Sequence, residues 1–107
     1  MTKGIPDADK DPSLNVDDFD AVAPILRVLG HADRLRIVDE LMRNSPAVGE
    51  LAGRLGLAAN AVSQHLNLLA AHGVVARQRR GRQVHYQVVH PAARSLLQCM
   101  WKNVGEL

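Results

Sequence analysis

The sequence predicts a mainly α-helical domain that contains one small β-hairpin. Its 107 residues are 47% hydrophobic but only 3% aromatic, which suits a single small domain with an aliphatic core. Apolar residues recur three and four positions apart as far as residue 72, which is typical of helices. After Gly73 they alternate with polar residues, as in strands, and a further apolar stretch at helical spacing follows.

Two helices, α1 and α2, are predicted at about residues 15–29 and 32–43. Asn15 is a suitable N-cap for α1, because its side chain can accept a hydrogen bond from a backbone N–H of the first turn. Gly30 ends α1, and Pro24 within it predicts either a kink or a restart of the helix. The apolar stripe of α1 consists of Phe19, Val22, Leu26 and Leu29. The apolar face of α2 consists of Leu35, Val38, Leu41 and Met42.

Two shorter helices, α3 and α4, are predicted at about residues 48–55 and 59–72. A short turn containing Gly56 joins them, which is the helix-turn-helix arrangement. The inward face of α4 consists of Val62, Leu66 and Leu69. The opposite face carries Asn60, Ser63, Gln64 and Asn67. Amides and hydroxyls donate and accept hydrogen bonds, as DNA base edges require, so we predict that this face contacts DNA rather than being merely a solvated surface.

A β-hairpin is predicted next, with strand β1 at about residues 74–80 and strand β2 at about residues 84–88. The alternating apolar residues of β2 are Val84, Tyr86 and Val88. Directly after a helix-turn-helix such a hairpin is a wing, whose cationic tip can reach phosphates or the minor groove. We expect the strongest contacts from Arg80 and Arg82, then from Arg79, and a weaker one from Arg77.

The last predicted helix, α5, begins at Pro91 and continues to about residue 104. Its apolar residues are more numerous than a terminal helix of a small domain usually needs. We therefore predict that α5 and α1 together form a homodimer interface. The residues predicted for this interface are Phe19, Val22, Leu26, Leu97, Met100 and Trp101.

The formal net charge of +2 conceals an uneven distribution of charge. Residues 1–50 contain six basic and ten acidic residues, whereas residues 51–105 contain seven basic residues and no acidic one. The first stretch therefore carries −4 and the second +7, and Glu106 brings the total to +2. A long stretch without carboxylates, containing the predicted reading helix and wing, favours approach to a polyanion.

Four linked motifs cover most of the chain. They are LGHADRLRI at 29–37, VGELA at 48–52, VSQHLNLL at 62–69 with HGVV at 72–75, and RRGRQVHY at 79–86. Together they resemble the ArsR/SmtB family of bacterial winged-helix repressors. The resemblance implies the order α1-α2-α3-α4-β1-β2-α5 and a homodimer paired through α1 and α5, with α4 in the major groove of an inverted-repeat operator. It also implies that an inducer releases the repressor from DNA.

The sensing residues of that family are not retained. Its arsenic and lead sensors have Cys-Val-Cys-Asp at the start of α3, where this chain has Ala-Val-Gly-Glu at 47–50. Its zinc-type site on the last helix uses Asp, His, His and Glu, whereas this chain has His-Pro-Ala at 90–92 and Asn103 further on. Thiol-switch members have one cysteine in the second helix, and that position corresponds to Asp39. The resemblance thus implies DNA binding but does not identify the signal.

Two single residues have more than one interpretation. Cys99 is the only cysteine, which excludes an intrachain disulfide. On an apolar helix it is either a small buried hydrophobe or, if α5 pairs with its symmetry mate, a thiol that oxidises across the dimer axis. His65 lies between the two faces of α4 and is equally a candidate for phosphate contact and for structural packing.

No catalytic, cofactor or metal site is predicted. The five histidines form no His-x-x-x-His or His-x-x-Glu pair, so a zinc site would need ligands from two subunits. Asp7, Asp9 and Asp11 resemble the opening of a calcium loop, but Pro12 stands where glycine is needed and Asp18 replaces the last glutamate. Neither a nucleophile with a recognisable base nor a phosphate-binding loop occurs.

The sequence as a whole predicts a dimeric winged helix-turn-helix repressor over residues 15–107, preceded by a disordered acidic tail at 1–14. We expect it to bind a double-stranded DNA operator. The sequence leaves four alternatives for the signal: a metal at an atypical site, an oxidant acting on Cys99, a small organic inducer, or none. No apolar run of about 18 residues and no apolar leader occur, so a cytoplasmic location without a membrane partner is expected. The competing interpretation is a winged-helix module that binds another protein through α1 and α5 and does not read DNA.

Overall fold

The structure, a computed structural model, describes residues 13–107, and most of the predicted tail therefore lies outside the described residues. Its elements follow the predicted order, and their ends differ from the predicted ones by at most two residues. They are α1 Val16–Leu29, α2 Ala32–Asn44, α3 Val48–Leu55, α4 Ala59–Ala71, β1 Val75–Arg80, β2 Gln83–Val88, α5 Pro91–Lys102 and a 3-10 turn Val104–Glu106. Within the described range, no helix has the length and apolar character needed to cross a membrane.

Helix α1 begins with a reciprocal cap and is continuous. The Asn15 side chain accepts a hydrogen bond from the Asp18 N–H (3.0 Å), and the Asp18 carboxylate accepts one from the Asn15 N–H (2.8 Å). Pro24 lies inside the helix, which continues past it to Leu29. The helix therefore does not restart at this proline, which was one of the two sequence alternatives.

The predicted apolar stripe of α1 is divided between two faces. Leu29 is buried, together with Ile25 and Val28, which the stripe did not include. Phe19 and Leu26 are instead 55% and 51% exposed. The face that packs on the rest of the chain is therefore set by the contact of α1 with α5 and α2. The other half of the stripe is left at the surface.

The core is aliphatic, as the composition predicts. Ile37 of α2 is completely buried although it was not assigned to the predicted face, whereas Leu35 and Met42 are only half-buried. In α4 the predicted inward face is confirmed. The largest fully buried side chains are Leu29, Ile37, Leu51, Leu66, Leu69, Leu97, Val38, Val62 and Val74.

The hairpin is a two-stranded antiparallel ladder that extends from the pair Val75 and Val88 to the pair Arg80 and Gln83. Its two-residue loop places Gly81 at φ +64°, as the first position of a type II′ turn requires. Midway along β2, a β-bridge joins His85 to Ala47, and the His85 Nδ1 lies 3.0 Å from the Ser45 carbonyl oxygen. These contacts attach the wing to the connection between α2 and α3.

Helix α5 is attached to α2 by polar contacts at its end. The Trp101 indole N–H donates to the Asp39 carboxylate (2.7 Å), and Arg43 donates to the same oxygen (2.9 Å). The Arg43 guanidinium also lies 4.6 Å from the centre of the Trp101 ring. Asp39 thus connects α2 to α5.

A second polar cluster attaches α3 to α2. The Arg54 guanidinium donates to the Glu40 carboxylate at 2.6 Å, and the Asn44 amide donates to the same oxygen at 2.9 Å. The Asn44 hydrogen bond and then the Arg54 hydrogen bond lower the pKa of Glu40 below its ordinary value. Because α3 packs on α4, this cluster also supports the helix-turn-helix.

Candidate nucleic-acid interface

The outward face of α4 is polar and open to solvent. Val62, Leu66 and Leu69 are at most 1% exposed, so burial of these three side chains fixes the rotation of the helix about its axis. That rotation places the predicted reading residues at the surface. All four are exposed: Asn60, Ser63, Gln64 and Asn67. Their hydroxyl and amide groups are therefore free to meet base edges.

The wing presents arginines on both faces of the hairpin. Cross-strand partners share a face, so Arg79 lies on the face of Val84, and Arg80 lies on the opposite face with Gln83. Arg82 occupies the loop itself, and all the wing arginines are exposed. Their hydrogen bonds are to neutral acceptors: Arg79 Nε donates to the Gly81 carbonyl oxygen (3.1 Å) and Arg80 Nη2 to Gln78 Oε1 (2.9 Å).

The ion pairs show where positive charge remains unneutralised. Between residues 13 and 107 there are three, and every one of them involves an acidic residue of α2. They are Arg36 with Asp33, Arg43 with Asp39, and Arg54 with Glu40. No described carboxylate pairs with an arginine of the wing. The charge of the hairpin is consequently available to a polyanion.

His65 turns away from the open face of α4. It is half-buried, and its ring centre lies 4.9 Å from that of His31, just before α2. Burial, and secondarily the charge of His31, lowers the pKa of the His65 imidazole below 6.5. This position agrees with the packing interpretation of His65, and a phosphate contact stays a prediction.

The structure also brings together residues that sequence spacing does not connect. One potential ligand atom from each of His31, Asp33 and His65 lies within 4.8 Å of the other two. The histidines belong to different elements, so a search for closely spaced ligand pairs cannot find them. The sequence predicted that a metal site would need ligands from two subunits, whereas these three potential ligands lie within one chain.

The predicted interface residues of α1 and α5 are placed differently from one another. Phe19 and Leu26 are more than half exposed, whereas Met100 and Trp101 are half-buried. Leu97 is only 1% exposed and packs in the core of its own chain, so it is not at the surface. Cys99 is exposed on α5, which removes the interpretation of its side chain as a buried hydrophobe within the chain.

Known proteins resemble this chain in sequence and in fold. A family model described as a helix-turn-helix domain matches residues 29–78, which include α2, α3 and α4. The chain is also 33% identical over 95 residues to the nodulation protein NolR of Rhizobium meliloti, an alignment that covers 89% of this chain and 78% of that protein. The chain belongs to the ArsR/SmtB family of winged helix-turn-helix transcriptional repressors.

Two further similarities support the assignment of this repressor. It is 40% identical over 70 residues to the HTH-type transcriptional repressor SmtB of Mycobacterium tuberculosis, an alignment covering 65% of this chain and 52% of that protein. The crystal structure of NolR from Sinorhizobium fredii superposes with a TM-score of 0.73 at 27% identity, covering 91% of this repressor and all of that chain.

These similarities confirm the predicted fold, family and type of function. The protein is a DNA-binding transcriptional repressor of the ArsR type and not an enzyme. The competing interpretation, a module that does not read DNA, is not favoured.

Proposed function

We propose that this repressor binds an inverted-repeat operator as a homodimer, with α4 in the major groove and the wing on flanking phosphates or in the minor groove. The observation that carries the proposal is the pairing of an open, carboxylate-free polar face on α4 with a hairpin whose arginines have no carboxylate partner among residues 13–107. Such a surface supplies both hydrogen-bonding groups for bases and charge for phosphates.

The two parts of this surface have different tasks. We assign base recognition to the α4 residues Asn60, Ser63, Gln64 and Asn67. We assign phosphate and minor-groove contact to Arg79, Arg80 and Arg82. The first group determines which sequence is preferred. The second raises affinity for every sequence.

The dimer is supported by apolar surface that one chain leaves in water. Phe19 and Leu26 are exposed on α1, which packs on α5 within the chain. Partly buried Val22, Met100 and Trp101 extend the interface that we assign to these helices. Burying large apolar side chains against a second copy is favourable by about 25 cal/mol per Å² removed from water. Since Leu97 is already buried within the chain, we no longer assign it to this interface.

The same proposal includes release by a small inducer and a location in the cytoplasm, where bacterial DNA is found. Exposed Cys99 remains the proposed redox-sensitive residue on α5. Its oxidation against a symmetry mate would link two chains covalently. Non-reducing electrophoresis of oxidant-treated wild type and Cys99→Ser tests this point, and wild type without a dimer band would count against it.

Quantitative DNA binding tests the division of tasks. Fluorescence anisotropy would compare the fragment upstream of the repressor's own gene with a scrambled fragment. We expect Gln64→Ala to reduce the preference for the upstream fragment by about 1–3 kcal/mol. Arg82→Ala should weaken binding to both fragments alike. Gln98→Ala, on the exposed face of α5, is the matched control and should change neither affinity.

Three results would contradict the proposal. The first is the absence of saturable DNA binding at micromolar protein. The second is an equal loss on both fragments for Gln64→Ala and Arg82→Ala, which would show that base reading and phosphate contact are not divided as assigned. The third is a protein that remains monomeric and is indifferent to DNA, which would restore the protein-interaction alternative.

A further inference from the structure

Three metal-ligating side chains meet beside the recognition helix. His31 precedes α2, Asp33 lies in its first turn, and His65 projects from α4. Their ligand atoms lie within 4.8 Å of one another, and all three side chains are at least partly accessible to solvent. We propose that His31, Asp33 and His65 bind a divalent transition-metal ion such as Zn²⁺ or Co²⁺, and that this ion weakens DNA binding by tying α4 to α2.

The donor set suits such an ion. Two imidazole nitrogens and one carboxylate oxygen are ligands that Zn²⁺ accepts, with water in the fourth position. Bonds of about 2.0–2.1 Å place tetrahedral donors about 3.4 Å apart. The widest separation in the cluster, at most 4.8 Å, must therefore shorten by roughly 1.4 Å. Rotation of the half-buried Asp33 and His65 side chains, which are not locked in the core, can supply this change.

Metal binding competes with the N-cap of α2. The His31 Nδ1 accepts a hydrogen bond from the Asp33 N–H at 3.2 Å, so its lone pair is already used. A neutral imidazole has one unprotonated nitrogen. The ion must either displace the Asp33 N–H from Nδ1 or bind Nε2 after the ring proton has moved to Nδ1. In both cases the Asp33 N–H loses the His31 ring as its partner, and the start of α2 is held by the ion instead of by this cap.

Positive groups around the cluster oppose the ion. Arg36 approaches the Asp33 carboxylate at 3.4 Å through Oδ1, which leaves Oδ2 for a metal. Arg34 lies near enough to lower the pKa of His65, and the N-terminus of α2 carries positive dipole charge. Coordination by the three ligands must therefore outweigh the electrostatic repulsion between the ion and these two arginines.

The effect on DNA follows from the position of His65. An ion that holds this ring fixes α4 against the start of α2, so that the recognition helix can no longer adjust its position on DNA independently of α2. This regulatory half of the inference rests on the proposed function, whereas metal binding itself does not. Coupling between two sites commonly corresponds to a change of about 5- to 150-fold in affinity, so we expect saturating metal to weaken operator binding by about fivefold or more.

Metal binding can be measured without DNA. Tag-free full-length protein would be titrated with Co²⁺ and followed by visible absorption, with circular dichroism to verify folding of each variant. His31→Asn keeps a capping side chain but removes the imidazole, and His65→Gln removes the ligand on α4. The matched control is His90→Asn, because His90 caps α5 through an identical hydrogen bond to the Ala92 N–H (3.1 Å).

We expect wild type and His90→Asn to bind one Co²⁺ per chain. His31→Asn and His65→Gln should bind Co²⁺ at least about tenfold more weakly than wild type. Loss of an outer-shell partner alone already costs about tenfold in metal affinity, and each of these variants lacks a direct ligand. The site is overturned if wild type gives no saturable absorption change. It is equally overturned if the two ligand variants bind as wild type does, or if the control loses binding to the same extent.

The regulatory half is tested by operator anisotropy with Zn²⁺ and with chelator. The affinity of wild type for operator DNA should decrease when metal is added, whereas His31→Asn should bind DNA with the same affinity in both conditions. Metal binding that leaves DNA affinity unchanged would keep the site and overturn its regulatory role. Failure of the metal-free protein to bind DNA would contradict the proposed function and not the metal site.

Discussion

Replacing Arg80 and Arg82 with glutamine should flatten the salt dependence of DNA binding. Both side chains are exposed, and within the described part of the chain neither is paired with a carboxylate, so each can neutralise one phosphate. A dimer contains four such arginines. Each phosphate contact contributes about 0.9 to the slope of log K against log salt concentration, so the double variant should lower the slope by about 3.6.

The assay is anisotropy on the upstream and scrambled fragments across a series of salt concentrations. Because phosphate contacts do not read sequence, the ratio of the two affinities should stay as in wild type. A control with Arg94→Gln and Lys102→Gln removes the same charge from α5. An equal decrease of slope in this control would show that overall charge is responsible. An unchanged slope in the wing variant would refute the assignment of the wing to phosphates.

Three further predictions concern stability. Gly81→Ala should lower the free energy of unfolding, measured in urea, by about 1–3 kcal/mol, because the loop needs φ +64° at this residue. Gly53→Ala, inside α3, should instead raise the free energy of unfolding by about 0.5–1 kcal/mol. Equal effects of the two variants would contradict the turn assignment. Trp101→Phe keeps an aromatic ring but removes the hydrogen bond to half-exposed Asp39, so thermal denaturation should show that the folded state is less stable by about 1 kcal/mol. An unchanged stability would show that this hydrogen bond does not stabilise the fold. Glu40→Gln should be less stable than wild type at neutral pH, because hydrogen bonds lower the pKa of Glu40 in the folded state below its ordinary value of 4.5. The difference should shrink as the pH falls from 4.5 and disappear below the lowered pKa of the folded state; a difference that persists there would exclude this cause.

Local signals made the element ends predictable. Asn15, Gly30, Gly56 and Gly81 each act through the backbone of a few neighbours, and each cap or turn is found where the sequence placed it. The outward face of α4 was also predictable. A helix with Val62 and its apolar partners inside must expose the residues opposite them.

Which of two apolar faces meets the core was not predictable. In α1, the face with Phe19 and Leu26 and the face with Ile25 and Val28 both recur at helical spacing. Only the packing of α1 on its neighbours buries the second face and leaves the first in solvent. Leu97 illustrates the same limit on α5, because its periodicity does not distinguish burial within a chain from burial between chains.

Helix α2 connects the regions where DNA, a partner chain and a signal are proposed to act. Its N-terminus touches the recognition helix through His31 and His65, and its middle touches α5 through Asp39 and Trp101. Closely packed elements shift as units and not by continuous deformation. A change at the start of α2 therefore acts on a helix that contacts both α4 and α5. Asp39 offers no thiol for oxidation, but it keeps the contact between α2 and α5 through which a change in α2 would reach α5.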